Sequence, residues 1–287
     1  MSQRLVVVGA GTMGAGIAYV AAGSGCDVVV VDVDAGRGAA ARQQIRGWAD
    51  KAVARGRSTE ADAAALLERL GVMTNLTEVA PGPDVVVEAV PENVDLKRRV
   101  LADAEELEPK LLGSNTSSIS IDSLAAGLRR PERFCGLHFF NPVYAMALLE
   151  IVVGEATDDD ARRAALGLAD RLGKQPIVVR DSPGFATSRL GNALGLEAIR
   201  MLETGVASAV DIDRAMVLGY RYPMGPLELS DVVGLDVRLD ISRTLQRAYG
   251  DRFSPPQLLL DMVAEGKLGR KTGEGFYRWI DGEKVNP

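Results

Sequence analysis

The stretch Leu5-Val6-Val7-Val8-Gly9-Ala10-Gly11-Thr12-Met13-Gly14 decides how the chain begins to fold. Four apolar residues lead directly into the pattern Gly-x-Gly-x-x-Gly, and apolar residues then recur at helical spacing as far as Ala22. In a dinucleotide-binding turn, Gly9 allows the tight turn, Gly11 lets the backbone approach a pyrophosphate, and Gly14 lets the helix pack on the strand. The N-terminus of that helix offers unpaired N–H groups and the positive end of a dipole to the phosphates.

A second apolar run, residues 26–31, ends in Asp32. An acid at about this distance from the glycine turn hydrogen-bonds the adenine ribose 2′-hydroxyl in dinucleotide-binding folds. Its carboxylate would repel the 2′-phosphate of NADP, and no Arg or Lys follows before Arg37. A glycine turn without a ligand is the alternative, but strand, turn, helix and acid follow in the order that a dinucleotide site requires. The sequence therefore predicts a site for NAD.

The composition is that of a folded protein with an acidic balance. Apolar residues make up 47% of the chain and charged residues 25%, and the net charge is −6. The negative charge argues against nucleic acid as a partner, and no apolar run reaches the ~18 residues that a membrane span needs. Cys26 and Cys135 lie in apolar runs, and the first predicted strand leaves no room for a signal peptide, so we expect a cytoplasmic protein with reduced cysteines. No metal site is predicted.

The pattern of the chain changes after residue 182. Before it, buried apolar runs alternate with helical patterns, as in a parallel sheet covered by helices. After Ser182-Pro183-Gly184 only helical patterns follow, at 185–202, 209–218, 227–249 and 256–265, before a basic, glycine-rich loop at 269–277. We predict an α/β fold, with a Rossmann-type dinucleotide-binding domain over residues 1–182. An all-α C-terminal domain over residues 183–287 would bind substrate and dimerise.

Polar residues follow two predicted strands of the first domain, at the edge where open α/β sheets bind ligands. Glu92 and Lys97 come just after the apolar strand 84–90, at the start of a helix predicted to open at residue 91. The loop Ser114-Asn115-Thr116-Ser117-Ser118 follows the strand 111–113. Glu92 is either an exposed capping acid or a ligand-facing group. The loop is either a cap and turn or a set of hydroxyls facing a substrate oxygen.

His138 is the only histidine of the chain and lies in the apolar run 134–140. The next apolar run, 146–153, contains one acid, Glu150. If the residues between them form a hairpin centred on Tyr144, positions 138 and 150 lie opposite each other, with side chains ~5 Å apart. A carboxylate there would orient the imidazole and balance its charge, as in a general base. A histidine satisfied within the core is the alternative.

In this order, the motifs resemble the short-chain L-3-hydroxyacyl-CoA dehydrogenases, the family that includes 3-hydroxybutyryl-CoA dehydrogenase. The resemblance covers essentially the whole chain. Besides the residues quoted above, it rests on His138-Phe139-Phe140-Asn141-Pro142, Pro183-Gly184-Phe185, Met224-Gly225-Pro226-Leu227-Glu228-Leu229 and the loop 269–277. It implies a cytoplasmic homodimer that reversibly oxidises an L-3-hydroxyacyl-CoA, with 3-hydroxybutyryl-CoA as the expected substrate, to the 3-ketoacyl-CoA with NAD.

The resemblance also implies a role for each matching residue. His138 would take the proton from the 3-hydroxyl group while C3 gives a hydride to the nicotinamide, and Glu150 would hold His138. Ser117 would bind the substrate C3 oxygen, and Asn141 would lie beside the nicotinamide and the substrate. The residues implied to contact the cofactor are Gly9, Gly11, Thr12, Met13, Gly14, Asp32, Glu92, Lys97, Asn115, Ser117, Asn141 and Lys271.

Further substrate contacts are expected at Ser188 and at a basic cluster. The cluster consists of Lys51, Arg55 and Arg57, near the predicted break between two helices that Ser58 is expected to cap. It lies at the position where members of the family bind the CoA phosphates. The alternative is that these residues form a basic surface exposed to solvent. Ser188 stands where the family often has Asn. We hypothesise that Asn192, one helical turn further on the same face, substitutes for it.

The stretch 143–147 lacks the second proline and the lysine often seen in the family, so the exact substrate stays open. Alternatives are a 3-hydroxyadipyl chain, an acyl carrier protein in place of CoA, and a non-catalytic NAD-binding relative. His138, Glu150 and Ser117 together argue against the last. The β-hydroxyacid dehydrogenases share the layout but use a lysine of the second domain. No Lys lies between Lys174 and Lys267, which argues against them.

Overall fold

The computed structural model describes residues 2–285. The chain divides into two compact units, unit 1 up to Asp181 and unit 2 from Ser182. This division falls one residue before the boundary drawn from the sequence. Within the described residues, no helix is long and apolar enough to cross a bilayer.

Among residues 2–285, eight strands of unit 1 form one sheet. They are β1 (Arg4–Val8), β2 (Asp27–Val31), β3 (Leu70–Met73), β4 (Val85–Glu88), β5 (Leu111–Ser114), β6 (Phe134–Phe139), β7 (Leu148–Val153) and β8 (Gln175–Arg180). Their spatial order is β3-β2-β1-β4-β5-β6-β7-β8, and all neighbours are parallel except β6 and β7. The strand order reverses between β1 and β4, which is the point where doubly wound sheets bind ligands. The predicted Rossmann-type sheet is confirmed.

The helices of unit 1 are α1 (Thr12–Gly23), α2 (Ala35–Ala54), α3 (Glu60–Glu68), α4 (Val94–Glu105), α5 (Ile121–Ala125) and α6 (Asp159–Arg171), with 3₁₀ turns at Leu76–Glu78 and Pro131–Arg133. The cap predicted at Ser58 is wrong by one residue. Thr59 caps α3 instead, because Asp62 three residues on completes a reciprocal capping box with it. Helix α4 also begins later than predicted, capped by Asn93.

Unit 2 contains α7 (Thr187–Glu203), α8 (Ala209–Tyr220), α9 (Pro226–Val233), α10 (Leu235–Tyr249), α11 (Gln257–Ala264), 3₁₀ turns at Asp251–Phe253 and Arg270–Thr272, β9 (Arg278–Ile280) and β10 (Glu283–Val285). Two expectations are corrected. The helix predicted over 227–249 is interrupted at Gly234, whose φ of 104° suits glycine alone. The unit is helical but not all-α, because β9 and β10 form a short antiparallel hairpin after the glycine-rich loop.

Asp231 explains why the closing loop is rich in glycine. Its carboxylate accepts hydrogen bonds from Phe276 N, Tyr277 N and the Trp279 indole, each at 2.9 Å. A Cβ atom on Gly275 would overlap this carboxylate. Burial raises the pKa of Asp231, although the three hydrogen bonds act in the opposite direction. The loop is thus fastened to one buried acid.

Candidate active site

The glycine turn joins β1 to α1 as the motif predicts. Gly9 has a φ of +109°, and a Cβ atom on Gly14 would overlap the carbonyl oxygen of Gly9. Gly11 is the N-cap of α1, and a Cβ atom built on it would meet nothing within 4 Å. Gly11 has no side-chain oxygen to bind the first-turn N–H groups of α1. Two glycines therefore close the turn, and the third leaves room for a phosphate at the helix N-terminus.

An open cavity of ≈ 1180 Å³ lies along the carboxyl ends of the strands of unit 1. Residues from five predicted stretches line it, among them Gly11, Asp32, Glu92, Asn115, Ser117 and His138. The fold thus brings to one cavity groups that lie more than a hundred positions apart in the sequence. The cavity lining does not include Lys51, Arg55, Arg57 or Asn141.

Asp32 is held rigidly at the end of β2. Its Oδ2 accepts a hydrogen bond from Ala10 N at 2.9 Å, and its Oδ1 accepts one from Asp34 N at 3.0 Å. The carboxylate thus stands beside the glycine turn, which suits recognition of a ribose diol. Arg37, the first cation after it, also lines the cavity but lies 3.7 Å from Asp34. The glycine turn and Asp32 fit a dinucleotide without a 2′-phosphate.

A buried charge cluster lies behind the cavity. The Lys97 side chain is 1% exposed, and its Nζ lies 2.8 Å from Glu88 Oε1 and 3.3 Å from Glu92 Oε2. Glu88 is fully buried and also accepts hydrogen bonds from Ser114 Oγ at 2.6 Å and Val90 N at 2.7 Å. Sequence reasoning missed Glu88. The signal was an acid inside an apolar run, because a buried carboxylate needs a partner.

The Glu92 carboxylate binds the loop 114–118 and does not cap helix α4, which begins just after it. Its Oε1 accepts hydrogen bonds from Thr116 Oγ1 at 2.5 Å, Ser117 N at 3.1 Å and Ser118 Oγ at 2.9 Å. Burial alone would raise the pKa of Glu92, but the Lys97 ammonium and these hydrogen bonds outweigh it and hold the pKa below its ordinary value. The hydroxyl groups of Thr116 and Ser118 therefore stabilise the conformation of the loop by binding Glu92. The Ser117 hydroxyl, at the cavity, makes no hydrogen bond to another residue of the described chain.

His138 and Glu150 face each other across β6 and β7. Their backbone positions are paired in the antiparallel register, as the hairpin argument predicts. His138 Nδ1 lies 2.8 Å from Glu150 Oε2, and the two side chains are 8% and 0% exposed. The Phe140 ring lies 4.3 Å from the imidazole, centre to centre. A carboxylate at Nδ1 fixes the tautomer with the proton on Nδ1.

Residues from other parts of unit 1 stabilise the turn between β6 and β7. The Lys174 ammonium donates to the carbonyl oxygens of Val143 and Met146, the second at 2.7 Å. Tyr144 at its centre packs against the rings of Tyr19 and Trp48, with centroids 6.0 and 5.3 Å apart. Asn141 is exposed at the start of this turn. Its predicted role stays a prediction.

Three residues singled out in the sequence belong to unit 2. Lys271 Nζ lies 2.6 Å from both carboxylate oxygens of Asp236. Ser188 is partly buried in the first turn of α7. Asn192 is 1% exposed, and its Oδ1 accepts from Arg238 Nη1 at 3.4 Å. The predicted cofactor and substrate contacts of Lys271 and Ser188 remain predictions.

Comparisons with known proteins cover both units. The family model for the 3-hydroxyacyl-CoA dehydrogenase NAD-binding domain matches residues 4–182, and the model for the C-terminal domain of the same enzymes matches residues 184–279. A 3-hydroxybutyryl-CoA dehydrogenase from Bradyrhizobium diazoefficiens is 42% identical over 286 residues, which cover 99% of this chain and 97% of that protein. A 3-hydroxyadipyl-CoA dehydrogenase from Escherichia coli is 39% identical over 281 residues, which cover 96% of this chain and 59% of that protein.

A solved structure points the same way. The (S)-3-hydroxybutyryl-CoA dehydrogenase from Ralstonia eutropha is 40% identical, with a TM-score of 0.93 and coverage of 98% of this chain and 100% of that one. The expected order of a Rossmann-type domain and a helical domain, and NAD as the cofactor, are confirmed. Both family models together span nearly the whole chain. The chain belongs to the 3-hydroxyacyl-CoA dehydrogenase family and is an NAD-dependent oxidoreductase.

Proposed function

We propose that this enzyme interconverts L-3-hydroxybutyryl-CoA and NAD⁺ with acetoacetyl-CoA, NADH and H⁺, using His138 and Glu150 as its acid–base pair. The observation that carries the proposal is the 2.8 Å contact between His138 Nδ1 and Glu150 Oε2 beside the cavity that the glycine turn also lines. The names of the relatives from Bradyrhizobium diazoefficiens and Ralstonia eutropha support the choice of acyl group.

Proton transfer is assigned to Nε2 of His138, because Nδ1 faces the carboxylate. When bound, NAD⁺ supplies the acceptor for the hydride that leaves C3. As the C3 hydroxyl becomes a carbonyl, His138 takes its proton, and the fixed negative charge of Glu150 balances the imidazolium. In the reverse direction His138 returns that proton to the C3 oxygen. Glu150 touches no reacting atom in this scheme and acts by positioning the ring.

Ser117 is the proposed hydrogen-bond donor to the C3 oxygen. Its backbone N–H is tied to Glu92, and both Ser117 and His138 line the cavity. A hydroxyl on a loop that is fixed by a carboxylate needs little reorganisation when charge develops on the substrate oxygen. The proposed cofactor contacts are the glycine turn for the pyrophosphate and Asp32 for the ribose, with Glu92, Asn115 and Lys271 as further predicted contacts.

The remaining parts of the proposal concern binding. Lys51, Arg55 and Arg57 are exposed near the end of α2 and form no ion pair among residues 2–285, which suits contact with the CoA phosphates. Unit 2 exposes large apolar side chains, including Leu190, Leu218 and Tyr220, each more than 70% exposed. Such side chains mark an interface, and we assign it to a homodimer that sedimentation analysis would detect. A cytoplasmic location stays a prediction.

The test is oxidation of NADH by the purified protein with acetoacetyl-CoA, with NADPH measured in parallel. We expect turnover with NADH and little with NADPH, because Asp32 would repel the 2′-phosphate. A preference for NADPH would overturn the role of Asp32 and leave the reaction intact. Binding of NADH without turnover of any 3-ketoacyl-CoA would overturn the proposed function.

A further inference from the structure

Three aromatic side chains of unit 1, termed the aromatic platform, form a partly exposed cluster. The Tyr144 ring, on the turn between β6 and β7, lies 5.3 Å from the ring of Trp48 on α2 and 6.0 Å from that of Tyr19 on α1, centre to centre. Tyr144 is 50% exposed, and the other two residues are partly buried. None of the three lines the cavity that contains Asp32 and His138. The platform therefore presents aromatic surface that the proposed dinucleotide site does not use.

Close packing between the turn and α1 holds the platform in place. A Cβ atom on Gly16 would lie 2.7 Å from Val143 Cγ2, so the turn can approach α1 only at a glycine. Tyr19 is three residues after Gly16 and lies on the same face of the helix. The Lys174 ammonium binds carbonyl oxygens on both sides of Tyr144. The Tyr144 ring is therefore fixed before any ligand arrives, and a fixed ring loses little entropy when another group stacks on it.

Positive charge lies beside the platform along α2. Lys51 and Arg55, the C-cap residue, follow Trp48 by three and seven positions, a spacing that places all three on one face of the helix. Both cations are exposed and form no ion pair among residues 2–285. Asp50 is two positions from Trp48 and points to another side of α2. Aromatic surface next to unpaired positive charge has the chemistry that binds a nucleotide, with its planar base and its phosphates.

We propose that Tyr144 and Trp48 bind the adenine base of CoA by stacking, while Lys51 and Arg55 bind its phosphates. The inference rests on the proposed function, because the thioester at the other end of the same molecule reacts at His138. The turn that carries Tyr144 follows β6, which carries His138, so one segment of unit 1 contributes to both ends. An acyl carrier protein offers the same pantetheine arm without the adenine base. The platform therefore selects CoA as the carrier of the acyl group.

The experiment compares acetoacetyl-CoA with acetoacetyl-pantetheine, which keeps the reacting group and the arm but lacks the nucleotide. In the parent enzyme, kcat/KM should be higher for the CoA thioester. Tyr144→Leu should lower the ratio of the two kcat/KM values by about 5- to 100-fold, the range that base–aromatic stacking supplies. The loss should lie in KM for acetoacetyl-CoA, and kcat/KM for acetoacetyl-pantetheine should stay the same.

Three further variants sharpen the comparison. Tyr144→Phe keeps the ring and should keep the parent ratio. Trp48→Leu removes the second ring of the platform from another element and should lower the ratio in the same direction. Tyr222→Leu is the control, because Tyr222 is similarly exposed, at 42%, but belongs to unit 2. It should leave the ratio unchanged.

Equal kcat/KM values for the two thioesters in the parent enzyme would overturn the inference and leave the proposed function standing. Equal losses with both thioesters in Tyr144→Leu would show that the ring only supports the turn, and would also overturn it. The same holds if Tyr144→Leu dissociates a dimer in sedimentation analysis without changing the ratio, because the platform would then be a contact between copies of the chain. Absence of turnover with both thioesters in the parent enzyme, alongside binding of NADH, would overturn the proposed function itself.

Discussion

The two units hold most of their buried charges in different ways, and Lys174 of unit 1, which donates to backbone carbonyl oxygens, is the exception. In unit 1, Lys97 lies between two glutamates, and His138 lies against Glu150. In unit 2, Asp231 is held by backbone and indole N–H groups, and Arg238 by a carbonyl and an amide oxygen. Opposite charges in contact suit a site where protons are transferred, because each charge stabilises the charged form of its partner. A charge held by fixed dipoles suits the joining of chain segments, and the predictions below test this distinction.

The largest effect is expected at His138. His138→Gln should lower kcat by about 10²–10⁴-fold, which is the usual contribution of a general base to the reaction rate. Binding of NADH, measured by fluorescence, should barely change, because the proposed cofactor contacts lie elsewhere. Glu150→Gln should lower kcat less, since the ring keeps its place in the cavity and loses only its orienting charge. Near-normal turnover of His138→Gln would remove the proposed mechanism.

The next effect concerns the buried lysine of unit 1. Lys97→Met should lower the free energy of unfolding by about 3–5 kcal/mol, because it leaves Glu88 buried without a counter-ion. Lys110→Met is the matched control, since Lys110 is 75% exposed and lies 2.7 Å from Asp84. That variant should cost about 0–1 kcal/mol. Urea denaturation of both proteins measures the difference, and equal losses would contradict the role of Lys97 as the buried counter-ion of Glu88.

The smallest effect is a difference in pH dependence. The pKa of Glu92 is lowered, so its contribution to stability is present above its ordinary pKa and is lost as the pH falls through the folded-state value. The pKa of Asp231 is raised by burial, so its contribution is full below its ordinary pKa and is lost as the pH rises through the folded-state value. The stability difference between parent and Glu92→Gln should therefore shrink on acidification. The difference between parent and Asp231→Asn should grow.

Denaturation of the three proteins at several pH values between acid and neutral measures these trends. Parallel trends for the two variants would show that the kind of partner, opposite charge or fixed dipole, does not decide how these carboxylates respond to protons.

Local patterns were enough to predict the sheet and much of the cavity. The glycine turn, Asp32 and the loop after β5 lie at strand ends, which the apolar runs locate. The opposition of His138 and Glu150 followed from counting residues about Tyr144, because side chains alternate strictly along strands. These features depend on neighbours that are close in sequence or on the common edge of a parallel sheet.

Features that depend on distant partners were not predicted. The contact of Lys97 with Glu88 was missed although an acid inside an apolar run was its signal, and the predicted contact of Lys97 with the cofactor stays a prediction. The partners of Asp231 lie more than forty positions further along the chain, inside a loop that resembled an exposed basic segment. The break at Gly234 was hidden because the apolar periodicity continues through it. A helical pattern alone does not show which glycine adopts a positive φ.

The turn between β6 and β7 has a consequence for how such an enzyme diverges. Both strands are also paired on their outer sides, β6 with β5 and β7 with β8, and Lys174 binds backbone carbonyl oxygens of the turn. These contacts hold the register of His138 and Glu150 through the backbone, and the packing of Tyr144 against Tyr19 and Trp48 adds to them. Tyr144 and Met146 are 50% and 40% exposed and can be exchanged by single mutations. The side chains of the turn and the acid–base pair can thus change separately in evolution, because substitutions at these exposed positions leave the pairing of β6 and β7 in place.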